Sequence, residues 1–150
     1  MSRYNKIYAG PYTEALPQTR EGLASEDIIP GALVTFSAGE FSLADATTVG
    51  TVWVAQDNYL TLKTVDDVNK TGNTMIGMIM LQTQLFNCLV PTGQNLVVGD
   101  ELTSDANGLL VKAAAGDRVF AMCEEDYNND TGDSQLVHVR AVQGYIRAAA

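Results

Sequence analysis

The sequence predicts a mainly β protein: a compact antiparallel β barrel or sandwich, with a short helix at most and an extended N-terminal arm. Three observations carry this. β-Branched and aromatic residues gather in short runs from Ile28 onward. Glycine-containing turns punctuate those runs at regular spacing. Residues 1–27 break the pattern, with two prolines and two glycines among scattered apolar positions.

The arm comes first. Tyr4, Tyr8 and Tyr12 recur at every fourth residue, which would stripe a helix, but Gly10-Pro11 interrupts it. Residues 1–27 therefore read as an extended arm; a frayed terminus is the bland alternative, and it accounts poorly for three tyrosines. Residues 28–147 read as the β domain and 148–150 as a tail. In "IIPGALVTF", Pro30-Gly31 turns the chain into a strand from Leu33 to Phe36. "EFSL" and "GTVWVAQ" follow, with Val52 and Val54 alternating against Trp53. "DNYLTLKTVDDV" reads as strand or connecting helix, with a short helix plausible around Thr64 to Asn69.

Residues 71–99 contain no charged side chain. Such a stretch belongs in a core or a subunit interface, where Gln82, Gln84 and Asn87 need hydrogen-bond partners. Next, Gly99-Asp100 reverses the chain after "NLVV". Asn107-Gly108 closes a hairpin between "ELTS" and "LLVKA", and Gly116-Asp117 turns into "RVFAMCEE". "DYNNDTGD" reads as a polar loop before the closing strand "SQLVHVRAV".

The chemistry suggested by composition is sparse. A net charge of −9 argues against a nucleic-acid partner. The start lacks the apolar stretch of a secretory signal, and no apolar run is long enough for a membrane helix, so neither membrane nor secretion is expected. Cys88 and Cys123 sit in apolar contexts and read as free buried thiols rather than a bridge. His138 is the only histidine and lacks the neighbours of a catalytic group. No zinc spacing joins it to the cysteines. The acidic groups Asp66-Asp67 and Glu124-Glu125-Asp126 match no calcium loop and read as solvated strand ends. Lys112 lies off the hairpin tip that a swinging-arm lysine would occupy. The expectation is no catalytic residue, no metal and no cofactor.

The order of segments is informative. The arm is followed by "IIPGALVTF", "VGTVWVAQDN", "PTGQNLVVGDELTSDANGLLVKA", "FAMCEED" and "LVHVRAV". This order resembles the small capsid decoration (cement, head-stabilising) proteins of tailed bacteriophages. The match is densest from Gly93 to Lys112, in its G-x-N-x-x-x-G-D-x-L run and asparagine-glycine turn. The resemblance implies a non-enzymatic virion protein, made in the host cytoplasm, on the outer surface of the expanded capsid. It would bridge neighbouring major capsid protein subunits as a homotrimer. Arg3, Tyr4, Ile7, Tyr8 and Tyr12 are the expected capsid-binding residues of the arm, since tyrosines supply large, stiff contact area. The alternative is a head-fibre or receptor-type module whose "DYNNDTGD" loop binds a glycan, with Tyr127 as its exposed aromatic.

Overall fold

The computed structural model describes residues 2–10 and 16–149. Strands dominate them, and helix is confined to one 3-10 turn at Tyr59–Thr61, so the mainly β reading holds. In chain order the strands are β1 (Tyr8–Gly10), β2 (Thr19–Ala24), β3 (Leu33–Ser37), β4 (Glu40–Leu43), β5 (Trp53–Gln56) and β6 (Thr74–Ile79). Then come β7 (Leu85–Val90), β8 (Asn95–Leu96), β9 (Glu101–Ser104), β10 (Leu110–Lys112), β11 (Arg118–Cys123), β12 (Tyr127–Asn128) and β13 (Gln135–Ile146).

Five strands close a barrel in the order β2-β4-β3-β5-β6. All its pairings are antiparallel except β2 with β4. Residues opposite each other across paired strands share a face, so the register sorts the side chains. Phe41 on β4 is fully buried and reaches Gly77 on β6, a strand it does not pair with; it therefore crosses the barrel interior. A Cβ on Gly77 would lie 2.6 Å from the Phe41 ring, and one on Gly22 would lie 2.7 Å from Phe36. Two glycines thus make room for two phenylalanines in a barrel too narrow for side chains on every stave. The opposite face of β3 and β5 carries Leu33 and Val54, both fully buried, and packs toward the second sheet.

That second sheet has six strands in the order β1-β7-β13-β11-β9-β10, and β12 pairs with β8 beside it. One core joins barrel and sheet, with Leu33, Val54, Leu89, Leu110 and Leu136 in a single cluster. The seam is hydrogen-bonded as well as apolar. Leu33 N–H donates to Gly108 O at 2.8 Å, Leu89 N–H to Gly31 O at 2.9 Å, and Ser104 Oγ to Ala44 O at 3.2 Å. Gly108 has φ +72, and a Cβ there would sit 2.5 Å from Leu33 O. The hairpin tip is therefore wedged against the barrel rather than free.

The uncharged run supplies β6 and β7, and most of both strands is buried in this core. Asn87 finds partners there, but the buried side-chain amide of Gln84 has none among the described residues. Cys88 and Cys123 are free and buried, as their contexts indicated.

Two segments differ from the reading of the sequence. Residues 1–27, read as an extended arm, carry two strands in their described part. Thr19–Ala24 is a stave of the closed barrel, paired with β6 over its length, and Tyr8–Gly10 pairs with β7. Sequence pattern concealed β2 because its inward positions are Arg20, Gly22 and Ala24, which do not read as an apolar face. The short helix expected near Thr64 to Asn69 is instead a turn, closed by Asp67 N–H to Thr64 O at 3.1 Å. At the other end, β13 closes at Ile146, one residue before the expected end of the domain.

Candidate functional site

The residues expected to grip a capsid are placed against the chain's own sheet. Arg3 Nη2 lies 3.2 Å from Glu125 Oε2, and its guanidinium carbon stands 3.7 Å from the Tyr127 ring centroid. Tyr4 donates its hydroxyl to the same Glu125 oxygen at 2.8 Å, with its ring 6.5 Å from that of His138. Burial, and then this hydrogen bond to a carboxylate, raise the Tyr4 pKa. Glu125 Oε1 in turn accepts the His138 N–H at 2.7 Å. Asn87 clamps the chain from below, donating its amide side chain to Lys6 O at 2.7 Å and its N–H to Ile7 O at 2.6 Å. Ile7 is 1% exposed, and Tyr8 packs edge-on against Phe86 at 5.5 Å. Arg3, Tyr4, Ile7 and Tyr8 therefore form an internal clasp. Tyr12 lies outside the described residues.

The predicted turns are present, and an aspartate closes each. Gly99 and Gly116 have φ near +90, at +92 and +89. Asp100 accepts the Val97 N–H at 2.9 Å, and Asp117 accepts the Ala114 N–H at 2.7 Å. At the hairpin tip Asp105 accepts the N–H groups of Asn107 and Leu109, which holds Asn107-Gly108 in place. Asp67 repeats the device on the Thr64 N–H, and Asp66 accepts from Ser2. Of the acidic residues read as solvated strand ends, Asp67 locks a turn, Glu125 serves the clasp and Glu124 pairs with Arg140 at 2.6 Å. Lys112 pairs with Asp100 at 2.8 Å.

Among the described residues no group of three or more histidine, cysteine or acidic side chains is placed to hold a metal ion. His138 Nδ1 lies 3.1 Å from Asn87 Oδ1, a structural partner within the clasp. Burial pushes the Cys88 thiol well above the usual thiol range, away from nucleophilic use.

The feature that sequence reasoning missed lies in the segment whose structure it left open. Between β5 and β6 the chain makes its 3-10 turn and exposes Tyr59 at 50%, Leu60 at 63% and Leu62 at 93%. Leu62 has φ +58, a left-handed conformation that costs a branched, bulky residue roughly 1–2 kcal/mol. The loop is nonetheless well fixed. Asn58 donates its side-chain amide to Thr74 O at 2.9 Å, and Lys63 N–H returns to Asn58 O at 3.2 Å. Partial burial raises the neighbouring Asp57 carboxyl. Three large apolar side chains within four residues, held outward on a rigid turn, are what an interaction surface requires. The signal in the sequence was "YLTL" itself, three large apolar side chains within four residues.

Fold and surface together define a class: a small, all-β protein in which a closed five-stranded barrel shares a core with a six-stranded sheet and presents an apolar loop. Among solved structures the chain is similar to the head fiber gp8.5 N base of bacteriophage phi29, with a TM-score of 0.57 at 18% identity. The likeness covers 85% of this chain and 95% of that one, and at this identity it is a likeness of fold. No protein-family model matches the chain, and no curated protein does. No helix among the described residues is long and apolar enough to cross a membrane.

Proposed function

We propose that this chain is a non-enzymatic structural protein of a tailed-phage head, bound to the outer surface of the expanded capsid. The fold likeness to a head-fiber base carries the reading, because it spans nearly the whole of both chains. In this reading the Tyr59–Leu62 loop, not the N-terminal segment, contacts the major capsid protein. Burying a leucine contributes about 1.5–3 kcal/mol, so Leu60 and Leu62 together supply a substantial anchor. A homotrimer would present three such loops and bridge neighbouring capsid subunits, with avidity exceeding a single contact by roughly 10²–10⁴. The net charge of −9 suits an outward position better than one facing packaged DNA.

The same likeness favours a second reading, in which the chain is the base of a fibre on the head rather than a cement between subunits. Sedimentation with purified, expanded, undecorated heads tests both. Wild-type protein should co-sediment, and the double variant Leu60→Asp/Leu62→Asp should bind at least about a hundredfold more weakly with its melting temperature unchanged. Raised resistance of the loaded heads to heat marks a cement, and unchanged resistance marks a fibre base. Failure of wild-type protein to bind heads overturns both.

A further inference from the structure

The barrel has an open mouth at the end of β5 opposite the Tyr59–Leu62 loop. Register places Arg20, Phe36, Trp53 and Ile79 on its inward face, above a floor formed by fully buried Phe41, Val34 and Met75. The recess measures about 950 Å³. It is blind, since Phe41 fills the barrel beneath it.

Arg20 stands exposed at this mouth, over the aromatic rings of the inward face, in a chain with twice as many acidic as basic residues. Arg3, Lys70, Lys112, Arg140 and Arg147 each have a carboxylate. Arg20, like Lys6, Lys63 and Arg118, has none among the described residues. Its guanidinium carbon lies 4.6 Å from the Phe36 centroid and 5.5 Å from that of Trp53. Stacking of this kind holds the guanidinium plane in place while leaving its N–H donors unused by protein acceptors.

The wall around it is hydroxylated and fixed. Ser37, Thr47 and Thr51 line the rim with Gln18. Asp45 accepts the Thr47 hydroxyl at 2.7 Å and the Thr47 N–H at 2.8 Å, which lowers its pKa and keeps it an ionised acceptor. Arg118 holds the same loop from behind, donating to Thr48 O at 2.7 Å and Gly50 O at 2.8 Å. Aromatic rings beside a carboxylate and hydroxyls are the requirements of a sugar site. Tyr127, the aromatic expected to serve one, has Arg3 stacked on its ring.

We propose that the barrel mouth binds a carboxylate-bearing oligosaccharide, with Arg20 engaging the carboxylate and the Trp53–Phe36 platform receiving the sugar face. This goes beyond the capsid reading and does not depend on it. Trp53 is the only tryptophan, so fluorescence excited at the red edge, beyond tyrosine absorption, reports on this recess. Tri-galacturonic acid should change Trp53 emission saturably, and its fully methyl-esterified form, which keeps the sugar rings but is uncharged, should bind at least about tenfold more weakly. Arg20→Gln should produce a similar loss, and Arg20→Lys a smaller one. No saturable change up to about 10 mM, or equal binding of acid and ester to the wild-type protein, would overturn the proposal without recourse to any variant. So would protection of Trp53 from acrylamide quenching on head binding, which would assign the recess to a protein contact.

Discussion

Ile7→Ala probes whether the N-terminal segment belongs to the fold. Ile7 is 1% exposed within the common core, and its carbonyl accepts the Asn87 N–H at 2.6 Å. Truncation leaves that hydrogen bond intact and removes only buried aliphatic groups, so the expected loss is about 2–4 kcal/mol. For a chain of this length each kcal/mol moves the melting temperature by roughly 2–4 °C, so a 3 kcal/mol loss lowers it by about 6–12 °C. Lys6→Ala is the control. It alters the adjacent side chain while keeping the carbonyl that Asn87 uses, and it should shift the melting temperature by less than about 2 °C. Calorimetry on the three proteins decides the matter. An Ile7→Ala melt coincident with wild type would show that residues 2–10 are detached in solution, and the clasp would have to be abandoned.

Three further outcomes follow from the same contacts. Gly108→Ala introduces a Cβ at positive φ, 2.5 Å from a backbone oxygen that cannot yield, and should cost roughly 2–4 kcal/mol by urea denaturation. Asp27 is held at about 2 by the Lys70 ammonium first, then by the Thr71 N–H and hydroxyl. Its contribution is full above the unfolded pKa near ~4 and is lost as pH falls through about 2. Thermal melts of Asp27→Asn should thus fall below wild type at neutral pH and converge with it near pH 2; a pH-independent gap would contradict the assignment. Cys88 should resist alkylation in the native protein and react on unfolding, as read by intact mass. Rapid native labelling would count against its burial.

The sequence showed most of the scaffold because period-two alternation and glycine turns are local signals. "LVHVRAV" as a strand, the Asn107-Gly108 hairpin and the Gly-Asp turns all follow from residue type at short range. β2 was illegible because its role is to leave space. Gly22 admits Phe36 and Arg20 lies over aromatic rings, relations set by β3, β5 and β6 rather than by neighbours in sequence. The tyrosines of the N-terminal segment read as contact residues, and topology shows that Tyr4 meets Glu125 and Tyr8 meets Phe86 of the same chain. The Leu60–Leu62 loop escaped notice for the opposite reason: exposed leucines look like core until burial is known.

The most direct test of the central claim is a cryo-EM reconstruction of expanded heads incubated with the purified protein. The account predicts added density on the outer surface that fits the barrel and six-stranded sheet, with Tyr59–Leu62 buried against the major capsid protein. Bare capsid at saturating protein would contradict a place on the head, and density meeting the capsid through another face, with Leu60 and Leu62 in solvent, would contradict the contact.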